Sequence, residues 1–261
     1  MSKYWQDKVV IVTGSSRGLG RAIAKTFAAQ GAKIVIAARD SDELASCAME
    51  LRAEGADLHT VSADVTNDAQ VALMIEQTLD RYGRIEVLVN NAGRCTRSEI
   101  ATTTPADFRE LLEVNLLSVV RCTHAALPQL LQHGGHVVNI GSLASKTAAR
   151  YLGGYSASKF AVAAYSQALR LELGPQGLHV LLVGPGPILG RSRYDQLSAG
   201  LPEQAKLPAP SAKLAKIDPR LAGSQNRQEL RAPPARNRRP QPRPMVVRSN
   251  AVVPAARRLA A

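Results

Sequence analysis

Short β-branched runs alternate with longer helical patterns through residues 8–183, and this alternation limits the possible folds more than any other feature of the chain. Each run has four to six residues, which is the length of a strand buried on both faces. Strands that alternate with helices pair in parallel, because each helix provides the crossover connection. Right-handed crossovers then place helices on both sides of the sheet. We therefore expect an α/β fold with a doubly wound parallel sheet, in a single domain.

Glycine, proline and capping residues set the expected bounds of these elements. Gly31, Gly55 and Gly83 end the first three helical patterns, and Thr104 with Pro105 begins the fourth. This fourth helix could reach His133 and Gly134, but Pro128 is expected to kink it or to end it early. The predicted strands are Lys8–Thr13, Lys33–Ala37, Asp57–Ser62, Val87–Asn90, His136–Ile140 and His179–Val183. The predicted helices are Gly18–Gln30, Asp42–Glu54, a helix capped by Asn67 that runs to Tyr82, the helix from Pro105, and Tyr155–Leu173.

Positive charge is concentrated near the end of the sequence. Ten of the 33 Lys and Arg residues lie in residues 219–261, where Glu229 is the only acid, so this segment carries +9 of the formal net charge of +12. It has no Ile, Phe, Tyr or Trp and holds 7 of the 15 prolines, a composition typical of disorder. We divide the chain into a folded domain, residues 1–218, and a basic Arg/Pro-rich tail, residues 219–261. Two origins fit this tail: a genuine basic segment, or a coding region read in a shifted frame.

No pattern in the sequence indicates a metal, a membrane span or export. Cys47, Cys95 and Cys122 are too far apart for a zinc motif, and an odd cysteine count without a signal sequence favours a reducing, cytoplasmic location. No apolar stretch reaches the length of about 18 residues that crosses a membrane. The arginine-rich tail lacks aromatic residues for base stacking, so we expect no nucleic-acid partner.

The first strand leads into a glycine-rich turn that suits a pyrophosphate group. Gly14, Gly18 and Gly20 allow a tight turn and a close approach to phosphate, and the helix that follows presents backbone N–H groups. The spacing is G-x-x-x-G-x-G, which differs from the G-x-G-x-x-G of many dinucleotide sites. A glycine cluster alone can be an ordinary turn. Its place after the first strand of a Rossmann-type alternation favours a dinucleotide.

The end of the second strand indicates which dinucleotide is bound. An acid at this point would accept a hydrogen bond from the ribose 2′-hydroxyl of NAD. Ala38 stands there instead, Arg39 follows it, and Arg17 lies in the glycine-rich turn. Two guanidinium groups near the ribose favour a 2′-phosphate, so we predict that the cofactor is NADP (NADPH). The alternative is that both arginines are solvated surface residues.

One helix carries the residues needed for acid–base chemistry on a carbonyl group. Hydride transfer to a ketone gives an alkoxide that needs a proton donor, and Tyr155 suits this role. Lys159 lies four residues further along the same helical face, where its ammonium group favours the tyrosinate. Ser142, just after the fifth strand, can hydrogen-bond the carbonyl oxygen. Each residue alone has an ordinary structural explanation. Because all three follow a glycine-rich turn that suits a dinucleotide, together they predict a catalytic site.

Several motifs jointly resemble the short-chain dehydrogenase/reductase family. They cover roughly residues 7–190 and occur in the family's order: TGSSRGLG (13–20), ADV (63–65), NNAG (90–93), Asn115, Ser142, YSASK (155–159) and PG (185–186). The resemblance implies that Asn115 holds a proton-relay water and that Lys159 also binds the nicotinamide ribose. Without the resemblance, Asn115 would be expected to bond the backbone of its own helix. The cofactor site predicted in this way comprises Gly14, Ser16, Arg17, Gly18, Leu19, Gly20, Arg39, Asp64, Val65, Asn91, Ala92, Gly93, Tyr155, Lys159, Pro185, Gly186 and Ile188.

These observations predict an NADP-dependent oxidoreductase that interconverts a ketone and a secondary alcohol. Its expected catalytic residues are Asn115, Ser142, Tyr155 and Lys159. The alternative is a catalytically weak or inactive NADP-binding sensor or scaffold of the same fold. The substrate is expected to be a small carbonyl or alcohol compound with an apolar part. The resemblance implies that the two long helices pair between subunits, giving a homodimer or a homotetramer.

Overall fold

All six predicted strands are present in the computed structural model of the chain, which describes residues 4–186, and they form one parallel sheet. Each strand lies within one residue of its predicted bounds: β1 (Val9–Thr13), β2 (Lys33–Ala38), β3 (Leu58–Ser62), β4 (Val87–Asn90), β5 (His136–Ile140) and β6 (His179–Val183). The strand order is β3-β2-β1-β4-β5-β6, and every pair is parallel. This order is that of a Rossmann-like doubly wound fold, as predicted. The predictions for the tail and for Ile188 lie outside the described residues.

The helices begin and end close to the predicted residues. The side chain of Asn67 accepts a hydrogen bond from the N–H of Gln70, and Thr104 forms a capping box with Asp107. Gly83 ends the third helix in the left-handed conformation. The helices are α1 (Gly18–Ala28), α2 (Ser41–Ala53), α3 (Asp68–Tyr82), α4 (Pro105–Leu112), α5 (Ser118–Gln132) and α6 (Gly153–Leu173).

The long helix that was predicted from Pro105 differs from expectation in two ways. A π-helical segment, Glu113–Leu117, separates α4 from α5, and no sequence signal indicated it. The expected early end at Pro128 is wrong, because α5 continues through this residue to Gln132. Ala126 and Leu130, on either side of Pro128, are fully buried in the core. This burial holds the helix together across the one backbone hydrogen bond that proline removes.

The strands are apolar on both faces because helices cover both faces of the sheet. Val10 and Val12 face one core, which includes Ile23 and Phe27 of α1 and Leu44 of α2. Ile11 and Leu88 face the other core, which is built from α3 and α5 and is bordered by the last residues of α6. Near-continuous valine and isoleucine runs are therefore required in these strands.

The strand order reverses between β1 and β4, and this point determines where a ligand can bind. Successive crossovers leave β1 toward one face and β4 toward the other, which opens a crevice at the carboxyl ends of the strands. All the predicted site residues in the described range follow a strand at this edge or lie on α5, α6 and the segments next to them. The fold thus brings the glycine-rich turn and the Tyr155 helix to the same side of the sheet.

Candidate active site

The glycine-rich turn after β1 is fixed to the end of β4. The amide of Asn91 donates hydrogen bonds to the carbonyl oxygens of Thr13 and Gly14, both at 2.9 Å. The hydroxyl oxygen of Thr13 accepts from the backbone N–H groups of Asn91 and Ala92, at 3.0 and 3.1 Å. A Cβ atom on Gly14 would lie 2.8 Å from the Cα of Ala92. Three predicted cofactor residues therefore contact one another directly, and Asn91 supports the turn itself.

The start of α1 has the features that a pyrophosphate requires. Asp40, Asn67 and Thr104 cap the starts of α2, α3 and α4, but no described side chain caps α1, and its first turn has no acid. Gly18, in the left-handed conformation, would project a Cβ into open space with no atom within 4 Å. Uncapped N–H groups beside such a space fit a phosphate group. Leu19 faces the core, while Gly20 packs so tightly against Gly14 that a Cβ would be 2.3 Å from its carbonyl oxygen.

Both arginines that were predicted to recognise a 2′-phosphate are exposed, and each faces a carboxylate. The guanidinium of Arg17 lies 2.6 Å from Glu43, and that of Arg39 lies 3.7 Å from Asp64. Burial alone would raise the pKa of Asp64, but two hydrogen bonds from Thr66 and the charge of Arg39 outweigh it and lower that pKa. Arg17 in the glycine-rich turn and Arg39 after β2 are therefore exposed cations that each form an ion pair.

The loop after β3 is held from the other side by α5. Arg121 donates a hydrogen bond to the carbonyl oxygen of Val65 at 3.1 Å, and forms ion pairs with Asp68 and Glu113. The Arg121 side chain is mostly buried, so these contacts fix its position. Through Arg121, the predicted cofactor-site residue Val65 is linked to the π-helical segment that contains Asn115.

Asn115 joins three separate parts of the candidate site. Its Oδ1 accepts from the backbone N–H of Arg94 at 2.8 Å, and its Nδ2 donates to the carbonyl oxygen of Arg94 at 2.8 Å and to the hydroxyl of Ser158 at 2.9 Å. Asn115 is fully buried. The alternative in which Asn115 bonds its own helix is therefore wrong, because partners on α6 and on the segment after β4 occupy its amide. A Cβ on Gly93 would lie 3.0 Å from the same Oδ1 and 3.6 Å from the nitrogen of Lys159.

Lys159 is a buried cation beside Tyr155. Its ammonium nitrogen donates to the carbonyl oxygen of Ile140 at 2.8 Å and lies 5.9 Å from the centre of the Tyr155 ring. Burial lowers the pKa of Lys159 to about 8. Tyr155 is half-buried, one turn before Lys159 on α6. The predicted spacing thus places a positive charge next to the phenol.

Ser142 begins a short 3₁₀ turn, Leu143–Ser145, that packs against α6. Its hydroxyl oxygen accepts from the N–H of Ala144 at 3.1 Å, so its hydrogen can be donated to a third group. The N–H of Leu143 donates to the carbonyl oxygen of Pro185 at 3.1 Å, which joins the ends of β5 and β6. Pro185 and the neighbouring Gly186 are half-buried. The turn therefore brings Ser142 to the helix of Tyr155 and Lys159.

Cys95 lies near the same ammonium group but is not an activated thiol. Burial raises its pKa to about 11, although the charges of Arg97 and Lys159 act in the opposite direction. Cys95 is therefore a neutral thiol at physiological pH and behaves as a small apolar side chain.

Residues 4–186 contain neither a metal-binding cluster nor a membrane-spanning helix. No group of three or more His, Cys, Asp or Glu side chains in this range could hold a metal ion. No helix of the same range is long and apolar enough to cross a membrane.

Comparison with known proteins assigns the class that this fold and site define. The family model described as short chain dehydrogenase matches residues 8–197, most of the chain. The chain therefore belongs to the short-chain dehydrogenase/reductase family, and it is an oxidoreductase acting on CH–OH or C=O groups.

Individual relatives agree with this class but differ in what they bind. An L-fucose dehydrogenase from Bos taurus is 36% identical over 204 residues, which cover 78% of this chain and 74% of the relative. An uncharacterized oxidoreductase from Mycobacterium tuberculosis is 37% identical over 185 residues, 70% of each chain. A variant of actinorhodin polyketide ketoreductase with NADPH has a TM-score of 0.78 at 27% identity, covering 85% of this chain and 89% of that one. A Burkholderia phymatum short-chain dehydrogenase/reductase in complex with NAD has a TM-score of 0.77 at 26% identity, covering 88% of this chain and 87% of that one.

Sequence reasoning missed several residues that shape the site. Ser158 lies within the YSASK motif, so its position was visible although its bond to Asn115 was not. Glu43 and Arg121 had no local signal, because most of their partners are 26 to 56 residues away in sequence. Only Glu113, eight residues before Arg121, is a near neighbour in sequence. Thr13 precedes the glycines and could have been noticed as a polar residue at the end of a buried strand.

Proposed function

We propose that this chain is an NADP-dependent oxidoreductase that interconverts a ketone and a secondary alcohol. The observation that carries the proposal is the buried ammonium group of Lys159, 5.9 Å from the centre of the Tyr155 ring at the carboxyl edge of the sheet. A bound nicotinamide would supply or accept the hydride. The chain's own residues would move the proton and hold the substrate.

In the reductive direction, Tyr155 is the proposed proton donor. Its hydroxyl gives a proton to the oxygen that becomes an alcohol, and the positive charge of Lys159 stabilises the phenolate that remains. Ser142 donates its hydroxyl hydrogen to the same carbonyl oxygen and so fixes the position of the substrate. In the oxidative direction, the tyrosinate takes the proton from the alcohol.

Asn115 has a supporting role in this proposal. Both hydrogens of its amide are used, one on Arg94 and one on Ser158. A relay water would therefore have to donate to Asn115, since the side chain has no hydrogen left to donate. The residue also fixes α6 relative to the segment after β4, and so holds Lys159 and Gly93 in place.

The proposed cofactor is NADP rather than NAD. Ala38, the last residue of β2, offers no carboxylate to a ribose 2′-hydroxyl, whereas Arg39 and Arg17 provide positive charge close by. The start of α1 fits the pyrophosphate. The proposed residues that would hold the dinucleotide are those predicted from the sequence, with Ile188 outside the described range.

Three further properties belong to the same proposal. The apolar side chains Leu143 and Leu152 are half-buried in the segment that would enclose the substrate, which suits a substrate with an apolar part. Leu117, Phe160 and Leu171 are large apolar side chains exposed on α6 and before α5, which suits pairing of these helices in a homodimer or homotetramer. Three unpaired cysteines suit the cytoplasm.

The test is NADPH oxidation with a panel of ketones, using the wild type, Tyr155→Phe and Tyr165→Phe. Tyr165 is a matched control because it is a half-buried tyrosine on the same helix. We expect Tyr155→Phe to bind NADPH normally but to lose turnover, whereas Tyr165→Phe should keep both. If Tyr155→Phe retained turnover, Tyr155 would be excluded as the acid. Tight NADPH binding without oxidation of NADPH by any ketone would favour the sensor or scaffold.

A further inference from the structure

The start of α2 places a third charged side chain next to the glycine-rich turn. Asp40 caps this helix by accepting hydrogen bonds from the N–H groups of Asp42 and Glu43. The cap fixes Glu43 in the first turn of α2, four residues beyond Arg39. Its side chain then reaches back to the turn that follows β1, where the arginine predicted to contact the ribose lies.

Glu43 binds two donors of the glycine-rich turn at the same time. Its Oε1 accepts from the guanidinium of Arg17 at 2.6 Å, and its Oε2 lies 3.2 Å from the hydroxyl of Ser16. A cation and a hydroxyl group held by two oxygens of one anion form the same pattern that a phosphate group would use. Ser16 and Arg17 are also the residues that the proposed function assigns to the cofactor.

We infer that Glu43 determines cofactor specificity by competing with the 2′-phosphate of NADP for Ser16 and Arg17. This inference rests on the proposed function, in which Arg17 recognises the 2′-phosphate. When NADP binds, Arg17 must exchange the carboxylate of Glu43 for phosphate, and the remaining carboxylate repels the phosphate. NAD has no 2′-phosphate and requires no such exchange. Glu43 therefore reduces the advantage that the arginines give to NADP.

A structural explanation for Glu43 must be separated from this one. Arg21 pairs with Glu50 on α2 and Lys25 pairs with Glu54 just after it, so two further ion pairs join α1 to this part of the chain. Glu43 differs from Glu50 and Glu54 because its partners lie in the turn, before the body of α1, and include a hydroxyl group. Glu50 is thus a matched control: it is a glutamate on the same helix with an arginine partner, but away from the turn.

The experiment measures binding of two fragments of the cofactor to the full chain by calorimetry. Adenosine 2′,5′-bisphosphate carries the 2′-phosphate, and adenosine 5′-monophosphate does not. Because an exposed ion pair stabilises by at most about 1 kcal/mol, we expect Glu43→Gln to tighten binding of the bisphosphate up to about fivefold. Binding of the monophosphate should not change, and Glu50→Gln should change neither. Glu43→Lys should shift the ratio further in the same direction.

Each other outcome overturns the inference. If Glu43→Gln behaves like Glu50→Gln, Glu43 is a structural ion-pair partner. If Glu43→Gln weakens binding of adenosine 5′-monophosphate, Glu43 contacts the ribose or supports the glycine-rich turn directly. The wild-type ratio of the two affinities tests the NADP proposal separately. A wild type that prefers the monophosphate would refute that proposal, whereas the inference depends on the shift caused by Glu43→Gln.

Discussion

Two serines on α6 have the same hydrogen-bonding pattern but hold different asparagines. Ser158 accepts from the amide of Asn115, and Ser166 accepts from the amide of Asn139, in both cases at 2.9 Å. Each serine also donates to a backbone carbonyl of its own helix at 2.7 Å, and both are buried. Asn115 belongs to the candidate site, whereas Asn139 lies within β5. Alanine variants of the two serines therefore separate the loss of a buried bond from the displacement of Asn115.

The two variants should lose similar stability but different amounts of activity. Each alanine leaves one N–H of a buried amide without its acceptor, which costs about 1 to 3 kcal/mol of the free energy of unfolding. In Ser158→Ala, Asn115 also loses the contact that fixes it to α6. Since a displacement of about 1 Å in an active site can lower the rate about 100-fold, we expect kcat to fall at least about tenfold. In Ser166→Ala, kcat should stay within about twofold of the wild type.

Urea unfolding gives the free energy of each variant, and steady-state kinetics at saturating NADPH give kcat and the substrate KM. A merely structural role for Ser158 would lower the amount of folded enzyme without changing kcat per folded molecule. The reasoning fails if Ser158→Ala and Ser166→Ala have equal kcat at equal loss of stability, because the bond to Asn115 would then have no effect on the reaction.

Three further outcomes are expected. Burial lowers the pKa of His136 to about 4, with the charges of His179 and Lys8 acting in the same direction, while the unfolded chain takes up this proton near pH 6.5. The stability that neutral His136 provides is complete above pH 6.5 and is lost as the pH falls toward 4. Between pH 6.5 and 4.5, the free energy of unfolding of the wild type should therefore fall by about 2 to 3 kcal/mol more than that of His136→Gln, as measured by urea titrations. Equal losses in the two proteins would contradict this. Gly18→Ala and Gly55→Ala place a Cβ at left-handed positions that face open space, so both should cost about 1 kcal/mol of stability, but only Gly18→Ala should weaken NADPH binding in a fluorescence titration; equal binding would show that the space at Gly18 does not hold the phosphate. An intact mass of 27.9 kDa, together with an unchanged reading frame on resequencing, would exclude the shifted frame as the origin of residues 219–261.

The fold could be predicted from the sequence because local and global signals agree. Runs such as residues 9–12 are apolar at every position, which only a strand covered on both faces requires, and caps such as Asn67 and Thr104 mark where helices begin. The π-helical segment could not be predicted in this way. It depends on where Asn115 meets Arg94 and Ser158, and these contacts join segments 21 and 43 residues apart in sequence.

The candidate site shows the same division. Tyr155 and Lys159 could be paired because four residues on a helix define a distance, and the structure places the ammonium beside the ring. The charges around the ribose position could not be judged from the sequence, because it shows neither the pairing of Arg17 with Glu43 nor that of Arg39 with Asp64. A sequence shows which charges lie close to a strand end, whereas their pairing depends on how α2 and the segments after β1, β2 and β3 pack.

The single tryptophan of the chain lies at the end of the sheet that is remote from the site. Trp5 is buried just before β1, edge-on to Phe27 and to His136 at the start of β5, with ring centres 5.1 and 5.4 Å apart. Catalytic substitutions at the opposite ends of the strands leave this cluster intact. The tryptophan fluorescence of the protein therefore comes from Trp5 alone and reports whether each variant has folded. It can be measured on the same sample that is used for the activity assay.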